Sequence, residues 1–136
     1  MSILFKKLFT RNKANVNTLT LRSFNSKFPN AKYVIWKQVD ASKWQVNYTE
    51  EKNKYSALFN CQGKWMETVS VVTLDKTPEP IKHKFQETFK KEGILQISHV
   101  LTPNKSLYEM KWHNGLYVTK VLYDITGKIV GRVITQ

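Results

Sequence analysis

Leu58-Phe59-Asn60-Cys61-Gln62-Gly63-Lys64 is answered 64 positions later by Leu122-Tyr123-Asp124-Ile125-Thr126-Gly127-Lys128. Upstream, Phe24–Phe28 is answered by Phe85–Phe89, 61 positions later. A period this long marks a duplicated supersecondary unit. Each loop places glycine just before lysine, where a type I turn followed by a positive φ closes a hairpin. Tyr55–Phe59 enters the first loop and Trp65–Val72 leaves it, both rich in β-forming residues. Before them, Trp44, Val46 and Tyr48 alternate with Gln45 and Asn47, the period-2 pattern of a half-buried strand. Tyr33–Trp36 supplies a further strand, with turns near Asp40-Ala41-Ser42 and from Glu50 to Asn53.

A helix precedes each set of strands. Leu21, Phe24 and Phe28 form one stripe, stopped by Pro29-Asn30 because the residue before proline is pushed out of the helical region. In the second unit, Thr77 is expected to cap, Pro78 to open the helix and Glu79 to sit at its positive end. Ile81, Phe85 and Phe89 share a face, and Gly93 ends the helix. Strands are expected at Ile94–Leu101, Leu107–His113, Tyr117–Tyr123 and Ile129–Ile134. Three extra residues at Thr102–Asn104 raise the offset from 61 to 64, after which Trp44, Val46 and Tyr48 align with Tyr108, Met110 and Trp112. Short loops require antiparallel neighbours. The expected fold is α+β: two tandem helix-plus-four-stranded antiparallel meanders, residues 18–75 and 77–136, forming one curved sheet with helices on one face. Duplication explains how an apolar face too large for one unit is buried. Residues 1–17 are a basic N-terminal segment.

At 136 residues the chain suits one domain with a real core. Its net charge of +12 is uneven: +6 over residues 1–31, +1 over 32–79 and +5 over 80–136. Such a balance favours acidic partners, whether nucleic acid, anionic lipid or an acidic protein face. Cys61 is the only cysteine, so no internal disulfide forms. No run reaches the ~18 apolar residues of a transmembrane helix. Lys6 and Lys7 interrupt the N-terminal apolar run, which therefore does not read as a secretory signal. The chain as written is expected to be cytoplasmic, with the periplasm as the alternative if a leader has been removed.

Phe24-x3-Phe28-Pro29-Asn30-Ala31-Lys32 followed by Trp36 resembles the helix-to-strand junction of the bacterial PepSY-like proteins, also described as having a β-lactamase-inhibitor-protein-like (BLIP-like) fold. Asn60-x2-Gly63-Lys64-Trp65-Met66-Glu67-Thr68 resembles their first long hairpin and Tyr123-Asp124-x2-Gly127-Lys128 their closing one. The resemblance spans roughly residues 20–136. It implies two helix-plus-sheet repeats in one curved sheet, no enzyme activity, no cofactor, and a binding or inhibitory role.

The residues themselves offer no reaction chemistry. His83, His99 and His113 lack the i, i+4 helical spacing of a zinc pair, so no metal site is expected. Cys61 sits in a turn, no nucleophile elbow surrounds any serine, and the five glycines form neither GxGxxG nor a Walker loop. Trp36, Trp44, Tyr48, Trp65, Tyr108, Trp112 and Tyr117 fall on expected strands. Two helices cover one sheet face, so aromatics left over on the other, interleaved with Lys37, Lys43, Lys64, Lys111 and Lys120, would form a recognition surface. The sequence therefore points to a non-enzymatic module that binds a protein or peptide through Trp36, Trp44, Tyr48, Trp65, Tyr108 and Trp112. The alternative is nucleic-acid binding through basic charge and interleaved aromatics.

Overall fold

The computed structural model describes residues 15–88 and 93–135. It contains helices α1 (Thr18–Lys27) and α2 (Glu79–Thr88) and strands β1 (Lys32–Asp40), β2 (Lys43–Glu50), β3 (Asn53–Asn60), β4 (Trp65–Val72), β5 (Ile94–Leu101), β6 (Ser106–Asn114), β7 (Tyr117–Asp124) and β8 (Ile129–Thr135). The fold is α+β, with an antiparallel, unclosed sheet whose strand order is the chain order, β1 to β8. Packing divides the chain into two units between Thr68 and Val69, inside β4.

In the first unit α1 starts at Asn17, whose Oδ1 accepts from the Thr20 amide at 2.8 Å. That satisfies one of the orphan donors of the first turn. The helix ends at Phe28, whose N–H reaches the Phe24 carbonyl ahead of Pro29. Phe24 is its core residue, with ring centroids 5.3 Å from Trp36, 5.3 Å from Tyr48 and 6.1 Å from Phe59, each near edge-on. Edge-to-face contact is the favoured aromatic geometry. The registers Trp36↔Val46, Trp44↔Phe59, Val46↔Ala57 and Tyr48↔Tyr55 put all these side chains on the face that α1 covers. Burial pushes the Tyr48 phenol well above its ordinary range, with the Glu50 charge adding to the effect. Thr20 is also fully buried, which its polarity did not announce; its Oγ1 donates to the Asn60 carbonyl at 3.0 Å.

The β3–β4 loop is built around Asn60. Its Oδ1 accepts from the amides of Gln62 and Lys64, both at 2.9 Å, and its carbonyl accepts from Gly63. Gly63 has φ +84°, and a Cβ there would lie 2.9 Å from the Leu19 carbonyl oxygen and 2.7 Å from Ser23 Oγ. The loop therefore lies directly on α1. Asn17 Nδ2 donates to the Cys61 carbonyl, and the Cys61 amide donates to Ser42.

The second unit repeats this device. Asp124 Oδ1 accepts from the Thr126 hydroxyl at 2.6 Å and from the amides of Thr126 and Lys128. The Thr126 hydroxyl, followed by these amides, holds the Asp124 carboxyl below its usual range. Gly127 has φ +89° and faces the Pro80 carbonyl, 3.0 Å from where a Cβ would stand. The core here is Ile81, Ile97, Met110, Val121 and Tyr123, with Phe85, Leu95 and Tyr108 packed around it.

Thr77 differs from expectation. Its hydroxyl donates backward to the Leu74 carbonyl at 2.7 Å, closing the 3-10 turn Leu74–Lys76 rather than capping α2. Phe89, Lys90 and Lys91, residues 1–14 and the point at which α2 ends lie outside the described residues.

The two-residue hairpin turns contrast. Glu51 (φ 49°) and Lys52 (φ 68°) both adopt the left-handed region between β2 and β3, a type I′ turn made without glycine or asparagine. Between β6 and β7 the first central position is Gly115, at φ 59°.

Candidate functional site

Strand alternation decides which sequence-predicted site residues are accessible. Trp36, Trp44 and Tyr48 are buried beneath α1 in the first core. That corrects their expected place on a recognition surface: every second residue of β1 and β2 points at the helix, and the aromatics occupy that phase. Trp65 is half-buried against the same core; its Nε1 donates to Thr68 Oγ1 at 2.8 Å, and Lys27 Nζ lies 4.1 Å from its ring centroid. Tyr108 packs on the second core and stacks on His99, with centroids 4.7 Å apart. Trp112 is half-buried in the same strand phase as Tyr108 and Met110, its indole filling the space beside Gly93. Tyr117 is 47% exposed at the start of β7.

The lysines occupy the opposite phase. Within the first unit, Lys37 lies opposite Gln45 and Lys43 opposite Asn60. Polar side chains on that face are internally bonded, since Gln45 Nε2 reaches both Asn47 Oδ1 at 3.0 Å and Ser56 Oγ at 2.9 Å, with Ile35 and Val39 exposed beside Lys37. Lys64 belongs to the β3–β4 loop.

The second unit's helix-free face is different. Lys111 of β6 stands directly opposite Lys120 of β7. Like charges directly opposite on neighbouring strands destabilise a sheet. Among the described residues neither ammonium has a carboxylate within 4.0 Å. Glu109 is two residues along β6 and faces Leu122. Beyond the Glu109–Leu122 row, Leu107, Leu122, Ile125 and Val130 line a groove of about 480 Å³ that also touches Lys105 and Asp124. The Asp124 carboxylate is already engaged by Thr126 and Lys128. A register slip between Leu122 and Tyr123 leaves Val130 without an opposite residue in β7, and it lines the groove together with Leu122. The same strand face thus carries an apolar groove touched by Lys105 and, across the Glu109–Leu122 row, the opposed lysines, a combination that suits a ligand with an apolar anchor and a negative charge. The groove residues were not assigned to a site from the sequence; the available signal was that Leu107 and Leu122 take the phase opposite to Tyr108, Met110 and Trp112.

Titratable chemistry is sparse. His99 Nε2 lies 2.7 Å from Ser106 Oγ, and burial pushes the His99 pKa down from 6.5. The folded state thus takes up the proton less readily than the unfolded chain. The stability His99 supplies is complete above about pH 6.5 and is lost as pH falls through that value toward its folded pKa. Thermal melts from pH 7.5 to 5 are expected to show a falling midpoint, with His99→Gln flattening the slope. An unchanged slope in the variant would remove His99 as its source. Among the described residues no group of three His, Cys, Asp or Glu side chains is placed to hold a metal ion, and no helix is long and apolar enough to cross a membrane.

No family model and no curated protein matches the chain. Solved structures do. A DUF2874 family protein from Bacteroides uniformis aligns with a TM-score of 0.79 at 18% identity, over 87% of this chain and 88% of that one. A Bacteroides eggerthii protein provisionally designated periplasmic aligns at 0.80 and 14% identity, over 88% of each chain. A BLIP-like protein from Bacteroides fragilis aligns at 0.77 and 12%, over 87% of this chain and 85% of that one. At these identities the likeness is one of fold, and the fold of this chain is BLIP-like.

Proposed function

We propose that the chain is a non-enzymatic binding module that takes a protein or peptide segment on the helix-free sheet face of its second unit. The observation that carries this reading is the Lys111–Lys120 pair. Two lysines facing each other without a carboxylate cost stability, and an acidic ligand resolves the repulsion. The neighbouring groove supplies the apolar contact, and an apolar centre with a polar rim is the usual anatomy of an interface. The BLIP-like fold of the neighbours supports a binding role, and the periplasmic designation of the Bacteroides eggerthii protein favours the periplasmic alternative for this chain's compartment.

Lys120→Glu separates function from stability. It turns the like-charge pair into a cross-strand ion pair and is expected to stabilise the fold by about 0.5 kcal/mol. The same change is expected to abolish capture of the partner. Affinity capture from bacterial lysate at low and moderate salt, wild type against Lys120→Glu, tests this. Proteins retained equally by both would sink the reading. Single-stranded oligonucleotide retained only at low salt would move it to nucleic acid, because phosphate-dominated binding falls steeply between about 50 and 200 mM salt.

A further inference from the structure

β8 is the outermost strand, hydrogen-bonded along one edge to β7 through Val118↔Thr135, Thr119↔Ile134, Lys120↔Val133, Val121↔Arg132 and Leu122↔Gly131. Its other edge carries no strand among the described residues. Ile129, Val130, Val133 and Ile134 are 45%, 50%, 54% and 59% exposed. An exposed apolar edge strand is a template for another strand, and proteins ordinarily blunt such edges with bulges, charges or proline. β1 is blunted in this way: its register breaks at Lys32/Ile35 and again at Gln38/Asp40, with Tyr33 left-handed at φ 55°. β8 breaks only at its start and is regular from Gly131 to Thr135. Arg132 and Ile134 take the same phase as the buried Val121 and Thr119, while Gly131, Val133 and Thr135 take the phase of Leu122, Lys120 and Val118.

Within β8 the charge has one sign, and the Asp124 carboxylate of the preceding hairpin is engaged by Thr126 and Lys128. Arg132 is the charged residue of β8, opposite Val121, and Lys128 precedes the strand, while Lys120 of β7 stands opposite Val133 on the other face. A second copy would add another Arg132 alongside, against a chain charge of +12. We infer that the free edge of β8 pairs, backbone to backbone, with an extended acidic segment of a partner protein in which a carboxylate flanked by apolar residues sits beside Arg132 and an apolar side chain sits beside Val133. Strand addition of this kind draws affinity from main-chain hydrogen bonds and specificity from alternate side chains. The inference rests on the reading that the second unit is the binding surface and adds the mode and pattern of what it binds.

The probe is a fluorescent, end-blocked heptapeptide, Ser-Thr-Val-Glu-Val-Thr-Ser, titrated against the full chain by anisotropy at low salt. Three outcomes are expected together. Replacing the peptide's glutamate by lysine weakens binding about tenfold or more, as loss of a charge-assisted contact does. N-methylation of its backbone amides removes binding. Arg132→Glu reverses the preference, taking the lysine peptide over the glutamate one. No binding of the parent peptide, full binding after N-methylation, or no reversal in Arg132→Glu each overturns the inference. A dimer in sedimentation equilibrium that Val133→Lys splits, with its circular dichroism unchanged, also overturns it by giving the edge to a second copy. The two readings fail separately. Binding lost in Lys120→Glu but kept by the N-methylated peptide removes the edge mode and keeps the face. Binding lost on N-methylation and indifferent to Lys120→Glu removes the face and keeps the edge.

Discussion

Trp36→Ala is expected to lower the unfolding free energy by about 4 kcal/mol, since truncating a buried tryptophan loses the transfer energy and leaves a cavity. The indole is 1% exposed and meets Phe24, Trp44 and Phe59 edge-on or tilted, so no neighbour can collapse into the hole without breaking another ring contact. Stabilities of natural domains are about 5–15 kcal/mol, so the loss would be a quarter or more of the whole. Urea denaturation measures the loss. Trp65→Ala is the comparison, because its ring is half-buried and covered from one side by Lys27. Were Trp65→Ala to cost as much as Trp36→Ala, the assignment of Trp36 to the centre of the core would fall.

Gly63→Ala is expected to cost about 3 kcal/mol, combining the strain of a left-handed non-glycine residue with overpacking. The added methyl would meet the Leu19 carbonyl oxygen at 2.9 Å, and that oxygen is helix backbone that cannot turn aside. Gly115→Ala isolates the conformational part. Its φ is +59° and a Cβ there would meet nothing within 4 Å, so only about 1 kcal/mol is expected. Gly127→Ala belongs with Gly63→Ala, since it faces the Pro80 carbonyl at 3.0 Å. Equal costs at positions 63 and 115 would show that the hairpin loop does not press on α1.

The elements were legible in the sequence because each carries its own period. Trp44, Val46 and Tyr48 announce a strand with nothing else known, and the Asn60/Gly63 and Asp124/Gly127 loops announce hairpins through turn chemistry alone. The face toward which those strands turn was not legible. Alternation shows that Trp44 and Gln45 point opposite ways, but only the docking of Phe24 on Trp36, Tyr48 and Phe59 shows that the aromatic side is inside. The candidate site was hidden for a related reason. Leu107, Leu122, Ile125 and Val130 are scattered across the chain and become neighbours through the β6–β7 register and the slip in β8. Lys111 and Lys120 were visible as charges, yet nothing short of the register could show them opposed.

Strand order that follows chain order also bears on how fast the molecule assembles. Each hairpin β1–β2, β2–β3, β5–β6 and β6–β7 pairs neighbours across a short turn, so the contacts that order most of the sheet close small loops and carry little entropic penalty. Relative contact order, and not strand content, governs the folding rate of small domains. The first unit's distant closures are those that seat α1 on the hairpin loop, Asn17 on Cys61 and Thr20 on Asn60, joining residues 44 and 40 positions apart. Zipping of the meander would then be early and rapid, with the seating of α1 as the later, slower event.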